Sequence, residues 1–385
     1  MATRKYLNLF KQFNNINSES YLISQNVFKV TKNIYKEPND LVKFNIFNYK
    51  NLYRDWGQLG IFNHIENEIS PLTYGMINYN IEKIDSSLRS AYSVQSSLVI
   101  NPIENFGNEF IKNKYLDKLY SGEHIGCFGL TEPDSGSDPA SMKTNAVLNK
   151  DYYIVNGSKT WITNSPIADI FIIWCKDENG KIIGLVTERK DGIITPELKD
   201  KMSLLASPTG QIFLNDVKIP KENKLNVVGL KGPFHCLNKA RYGISWGVIG
   251  AMEDIINTTI DYTENRKQFS KKLNNFQLIQ NDLVNCIQLY NNSLNNSFSS
   301  LNCIHTFDDL KNNIALISYL KKVNCENALI ISRNCRDILG GNGVSNSYNI
   351  FRHLINLEAV NTYEGTKNIH NLIMGREFLG ENAFI

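Results

Sequence analysis

The chain has no Cys-x-x-Cys pair, no block rich in lysine and arginine, no acidic tail, and no apolar run of transmembrane length. Each absence removes a class of function. Seven cysteines (Cys127, Cys175, Cys236, Cys286, Cys303, Cys325 and Cys335) are an odd number at wide spacings, which fits neither a zinc site nor a disulfide framework and favours a reducing compartment. No metal ligand set stands out. A formal net charge of +3 over 385 residues is too small to argue for a nucleic-acid surface. Without a long apolar run, no membrane span is expected. No G-x-G-x-x-G follows a strand-like run, so a Rossmann-type flavin or nicotinamide site has no support. There is no internal repeat, and no segment is extreme enough in composition to be disordered.

What is present is material for well-formed cores, with 42% hydrophobic and 11% aromatic residues, in a chain longer than one core usually holds. Its character changes twice. Residues 1–125 read as a helical domain. Within it, 85–100 (DSSLRSAYSVQSSLVI) lacks Gly and Pro and predicts continuous helix, with Glu82, Ser86, Arg89, Ser90 and Ser93 on one face. Residues 126–230 read as a small antiparallel β-domain. Tyr152–Val155 running into Asn156-Gly157 predicts one hairpin, 169–175 and 181–186 around Asn179-Gly180 a second, and 211–219 a further strand. Residues 231–385 return to the helical period, with helices expected over 240–266, 276–300, 308–339 and 354–379. Helices, sheet, helices is an α+β order with segregated layers. The first 18 residues lack acids and carry Arg4, Lys5 and Lys11, a weak presequence signature without an Arg- and Ser-rich segment.

Four segments could carry chemistry. Cys127–Asp138 (CFGLTEPDSGSD) combines the breakers Gly129, Pro133 and Gly136 with the hydroxyls of Thr131, Ser135 and Ser137; it is either a turn-rich loop or one whose backbone approaches a ring or phosphate. Arg266 and Gln277 lie in a polar run that reads as a solvated helix end as readily as a ligand site. Asp337, Gly340 and Gly341 belong to a glycine-dense stretch that serves most often as a helix C-cap. Glu364 sits alone between Tyr363 and Gly365.

Taken together, these strings resemble the acyl-CoA dehydrogenase family. The similarity runs from about residue 17 to the end, and 357–370 (LEAVNTYEGTKNIH) is most like the glutaryl-CoA dehydrogenases. The extreme N-terminus departs from the family. Asn-rich substitutions around 281–300 and 308–315 depart from it too; they are expected on surfaces and leave the site intact.

The resemblance implies an acyl-CoA dehydrogenase-like fold with an N-terminal helical domain, a middle β-domain and a C-terminal four-helix bundle. It implies FAD as cofactor, held by Phe128, Leu130, Thr131, Ser137, Trp161, Ile162, Thr163 and Thr366. Arg266 and Gln277 would also bind FAD, and Asp337, Gly340 and Gly341 would meet the FAD of a neighbouring subunit in a homotetramer. Glu364 matches the catalytic base, and burial would raise its pKa. Gly365 leaves room for the thioester.

The same resemblance makes Arg89 the clamp on a distal substrate carboxylate, helped by Ser90; planar guanidinium donors suit two oxygens. On the residues alone, Arg89 is as easily a solvated helix charge. Ser137, Phe234, Asn238 and Arg241 match the acyl-CoA lining, with His235 a polar neighbour. Glu82 and Tyr363 match positions of decarboxylating members.

The implied reaction converts glutaryl-CoA to crotonyl-CoA and carbon dioxide in lysine and tryptophan degradation, with electrons passed to electron-transfer flavoprotein. The compartment would be cytoplasm in a bacterium or mitochondrial matrix in a eukaryote. Alternatives are a non-decarboxylating enzyme, a dehydrogenase or oxidase for an uncharged chain, or a catalytically silent scaffold. An unpaired buried Arg89 would oppose an apolar acyl tail.

Overall fold

A computed structural model describes residue 9, residues 12–34 and residues 46–380. The basic segment carrying Arg4, Lys5 and Lys11 lies outside these. The N-terminal part is built from α1 (Ser18–Ile34), α2 (Ile46–Gln58), α3 (Pro71–Glu82), α4 (Ser86–Ser93), a π-helix (Val94–Ile100), α5 (Asn101–Phe106) and α6 (Glu109–Tyr120). Starts follow cap chemistry. The Ser70 hydroxyl accepts from Thr73 N at 3.1 Å with Pro71 in the first turn, and the Asp85 carboxylate accepts from Ser87 N at 2.7 Å.

That second cap revises the expected single face. Glu82 ends α3, the chain turns at 83–85, and Arg89 stands on the next helix. The two residues meet across a bend, and the stretch beyond Ser93 widens into a π-helix instead of continuing the α-helical turn.

The middle part forms one sheet from β1 (Gly126–Gly129), β2 (Asn145–Asn149), β3 (Tyr152–Thr163), β4 (Ile170–Asp177), β5 (Ile182–Glu188), β6 (Ile193–Ile194), β7 (Thr209–Pro220) and β8 (Lys224–Val228). The order is β6-β7-β3-β2-β4-β5-β8, with β1 beside β4. It is not purely antiparallel, because β4 pairs in parallel with β1 and with the start of β2. The β4–β5 hairpin forms as expected.

Asn156-Gly157 is not a turn. β3 runs through it, and the β3–β7 register shifts between Val155 and Gly157, a bulge. Asn156 Nδ2 instead donates to Asp216 Oδ1 at 2.9 Å, and its Oδ1 accepts from Asp216 N at 2.8 Å. The turn into β3 falls earlier, at Lys150, with φ 55°.

The C-terminal part contains α7 (Lys231–Asn265), the short strands β9 (Lys267–Gln268) and β10 (Lys271–Lys272), α8 (Gln277–Ser299), α9 (Ile314–Ile338), α10 (Asn349–Thr362) and α11 (Lys367–Leu379). α7 starts nine residues before the expected start at 240, since Pro233 falls in its first turn, where a missing N–H costs nothing. α9 starts later than 308, after a 3-10 turn at Phe307–Lys311. The expected helix over 354–379 is broken at 363–366, where Glu364 (φ 54°) and Gly365 (φ 107°) leave helical space.

α7, α8, α9 and α10 pack around Ile244, Val248, Ile255, Leu283, Ala328, Ile331 and Leu357. Each fully buried aliphatic side chain there contributes about 1.5–3 kcal/mol. A larger core joins the first helices, one sheet face and Trp246 of α7, while the other sheet face has its own cluster. The helical parts and the sheet thus share buried residues where the site lies. No helix among the described residues is long and apolar enough to cross a membrane.

Candidate functional site

The break between α10 and α11 carries Glu364, and three elements hold it. Arg241 of α7 donates from Nε to the Glu364 carbonyl at 2.7 Å. Lys321 of α9 donates from Nζ to the carbonyls of Asn361 at 3.0 Å and Gly365 at 2.9 Å. Thr366 caps α11, its hydroxyl accepting from Ile369 N at 3.4 Å. A non-glycine residue at φ 54° is strained, and such strain persists only where its surroundings over-determine it. At Gly365 a side chain would meet His370 and Arg241.

Glu364 is partly exposed, yet its Oε2 is buried and has no hydrogen-bond partner among the described residues. Burial raises its pKa above the ordinary carboxylate value; Arg89, Arg241 and Lys321 pull it back without cancelling the rise. A carboxylate so placed is a stronger base than a solvent-exposed one.

Arg89 is fully buried. Its Nε donates to Glu82 Oε2 at 2.7 Å, and Nη2 donates to the Tyr363 hydroxyl. Ser86 Oγ donates to the other oxygen of Glu82 at 2.8 Å. The third guanidinium nitrogen, Nη1, is buried with no acceptor among the described residues. Burial opposes the Arg89 charge, but Tyr363, Glu82 and Glu364 outweigh it and move its pKa upward. The Arg89 charge is therefore matched by Glu82 even without a substrate carboxylate, and one donor remains for a ligand. Tyr363 is pushed up by burial and stays a phenol.

Asp85 brings the two halves together. Its carboxylate caps α4, pairs with Arg352 Nε at 3.0 Å, and accepts from Asn356 Nδ2 at 3.0 Å, both on α10. The helix that ends at Thr362, just before Tyr363, is thereby docked on the turn preceding Arg89. Ser90 is buried beside Arg89; Asn238 and Arg241 are buried on α7, with Phe234 exposed one turn earlier. His235 stands edge-on to Phe106 at 5.3 Å.

A second cluster lies where β1 leaves the sheet. Phe128 and Leu130 are buried, and Thr131 O accepts from Thr160 N at 2.9 Å. The fully buried Lys159 donates to Leu130 O at 3.1 Å and to Glu132 Oε1 at 2.8 Å. Glu132 also accepts from Lys143 N at 2.6 Å and Thr144 N at 3.0 Å. Burial alone would raise the Glu132 pKa, but Lys159 and these N–H groups turn the direction downward.

This bridge fixes the loop bearing Ser137, which is exposed, against the end of β3. There Trp161 is 64% exposed at φ 59°, Ile162 is buried and Thr163 is partly exposed. An indole turned to solvent by a left-handed backbone, beside loop hydroxyls and backbone, fits a flat ring with polar edges such as a flavin.

Arg266, Gln277, Asp337, Gly340 and Gly341 do not join either cluster. All are exposed, at the far end of α7 and its neighbours. Tyr262 links them, donating to Leu339 O at 3.4 Å and accepting from Asn342 Nδ2 at 2.9 Å. Arg266 is roughly 37 Å beyond Arg241 at 1.5 Å per helical residue.

Sequence reading missed Asp85, Glu132, Lys159 and Lys321. Lys321 had a signal: it occupies the buried phase of α9 between Ile317 and Cys325, where an amphipathic helix places apolar side chains. Asp85 had one as well, an Asp placed to cap the helix that starts at Ser86, but its docking on α10, like the Glu132–Lys159 pair, joins residues distant in the chain and left none.

Comparison with known proteins agrees with this geometry. The sequence matches the acyl-CoA dehydrogenase N-terminal domain over residues 31–123, the middle domain over 127–217 and the C-terminal domain over 229–379. The fold is similar to that of a Mycobacterium smegmatis glutaryl-CoA dehydrogenase (TM-score 0.92, 33% identity, 99% of this chain and 100% of that one). A structure of a glutaryl-CoA dehydrogenase from the same organism, in complex with FADH2, gives TM-score 0.90 at 34% identity over 98% and 99%.

The human very long-chain specific acyl-CoA dehydrogenase is 37% identical over 286 residues, 70% of this chain and 43% of that protein, so the chain spans less than half of that relative. Bovine isovaleryl-CoA dehydrogenase is 28% identical over 394 residues, 95% of this chain and 89% of that protein. The chain belongs to the FAD-dependent acyl-CoA dehydrogenase family.

Proposed function

We propose that this enzyme oxidatively decarboxylates glutaryl-CoA to crotonyl-CoA and carbon dioxide and passes electrons to an electron-transfer flavoprotein. The observation that carries this is Arg89: a fully buried guanidinium, close enough to Glu364 to bias its ionisation, with Nη1 left for an acceptor. A short acyl chain ending in a carboxylate supplies one.

In this reading the second cluster holds the isoalloxazine, with Thr131, Ser137, Trp161, Thr163 and Thr366 as contacts. The exposed groups around Arg266 and Gly340 hold FAD from a neighbouring copy in a homotetramer. FAD held by these residues would supply the acceptor for hydride from the β-carbon.

Glu364 removes the α-proton, and its raised pKa makes it basic enough for a weak carbon acid once the thioester carbonyl is polarised. Arg89 orients the distal carboxylate. Because Glu82 already balances the guanidinium, loss of the carboxylate as neutral carbon dioxide leaves the buried cation paired. The resulting dienolate takes back a proton from Glu364.

The same pairing supports a second reading, a dehydrogenase for an uncharged short acyl chain, since the pocket need not supply a counter-charge. Substrate competition separates the two. Glutaryl-CoA should beat butyryl-CoA in kcat/KM on the wild type, and Arg89→Ala should erase that preference while FAD stays bound. Equal preference before and after would leave the second reading.

A further inference from the structure

Lys321 is a buried cation for which the proposed chemistry has so far found no use. It lies on α9, is fully buried, and makes no salt bridge with a carboxylate among the described residues. Two of its three ammonium donors are placed: one on the carbonyl of Asn361, the other on that of Gly365. Those carbonyls bracket Glu364. Arg241 takes the carbonyl between them.

Two cations from two helices therefore bind three of the five carbonyls from 361 to 365, where α10 stops and Glu364 adopts φ 54°. Stripping a lysine of water without an acid partner is costly, so a position that merely filled space would be better served by Leu or Met.

We infer that Lys321 is a positioning residue for the base: it holds the Asn361–Gly365 backbone in the left-handed turn that aims Glu364. The inference rests on the reading of Glu364 as base. The groups facing Glu364 are Arg89 from α4, Arg241 from α7, Lys321 from α9, and Tyr363 beside it; Glu82 acts on Arg89. His370 of α11 also borders the turn, but burial, with Arg241 and Lys321, lowers its pKa to about 2, so it stays neutral and Lys321 is not duplicated.

The test uses the FAD-loaded full chain in three variants, Lys321→Met, Lys321→Arg and Glu364→Gln. Readouts are the pH profile of anaerobic flavin reduction by glutaryl-CoA and amide hydrogen exchange over 361–370 without substrate. Lys321→Met should slow reduction on the order of 10²-fold, the scale of a 1 Å misplacement of a reacting group. It should move the acid limb of the profile to higher pH, because removing a cation destabilises the ionised form of the carboxylate. It should also raise exchange over 361–370, and Lys321→Arg should recover part of each effect.

A slower Lys321→Met enzyme with an unmoved acid limb and unchanged exchange would overturn the inference, as would full activity. Glu364→Gln separates the two levels. If it still reduces flavin at the wild-type rate, the base reading fails; if it is inactive while Lys321→Met is normal, only the role of Lys321 fails.

Discussion

Glu364 faces two demands, to be basic and to be buried, and the residues around it set the balance between them. Its folded-state pKa lies above the unfolded value because burial disfavours the charged form. Linkage then fixes a sign. The protonated form favours the fold, so this contribution is fully present below the ordinary carboxylate pKa and is lost as pH rises through the raised value. Glu364→Gln should therefore melt higher relative to wild type at pH 8 than at pH 5 in calorimetry, while losing flavin reduction; a Tm difference independent of pH would contradict the buried-base account.

Glu132 has the opposite sign. Its lowered pKa stabilises the loop above the ordinary value, and that contribution is lost as pH falls through the depressed one. Arg89 and Glu82 form a pair with both side chains fully buried. Glu82→Ala leaves the cation uncompensated and should cost about 3–5 kcal/mol in urea unfolding, more than the double change Glu82→Ala with Arg89→Met.

At the scale of elements, the site is made where helices stop. α3 ends at Glu82, α4 begins beyond Asp85, and α10 ends before Glu364. One glycine in α7 allows these ends to converge: a Cβ at Gly247 would strike the Glu82 carboxylate and crowd Arg89 Cδ. Gly247→Ala should displace the Glu82–Arg89 pair, cost about 1–3 kcal/mol by overpacking, and raise KM for glutaryl-CoA more than for butyryl-CoA. Equal changes for both substrates would show that α7 packing does not govern the clamp.

The sequence patterns made the long helices, the β4–β5 hairpin and the change to strand near Gly126 legible, since each is written in local period and turn residues. The helix break at Glu364 was hidden, because Leu354–Leu379 keeps an apolar period through it and only tertiary hydrogen bonds from Arg241 and Lys321 stabilise the strained turn. Asn156-Gly157 misled for a related reason: its residues suit a tight turn, but pairing with β7 converts them to a bulge. Glu364 and Arg89 could be picked out through family resemblance; that Asp85 docks on α10 and that Lys321 grips the Glu364 turn could not, since those contacts join residues far apart in the chain.

For the whole molecule, the distribution of exposed groups bears on assembly. Phe269, 89% exposed at the tip of the β9–β10 hairpin, and Leu278, 80% exposed at the start of α8, flank Arg266 and Gln277. A neighbouring copy seated on this end would cover both side chains. If that end binds FAD of a neighbouring copy, Phe269→Asp should shift light scattering towards smaller species and lower FAD content together; loss of assembly with full FAD retention would place the whole cofactor site within one chain.

The substrate is tested most directly by mixing the FAD-loaded protein anaerobically with glutaryl-CoA, following flavin bleaching, and then identifying products after turnover with an artificial acceptor. The expected result is bleaching with crotonyl-CoA and carbon dioxide in equal amounts. Bleaching with glutaconyl-CoA alone would remove decarboxylation, and no bleaching at full flavin content would contradict the role proposed for Arg89.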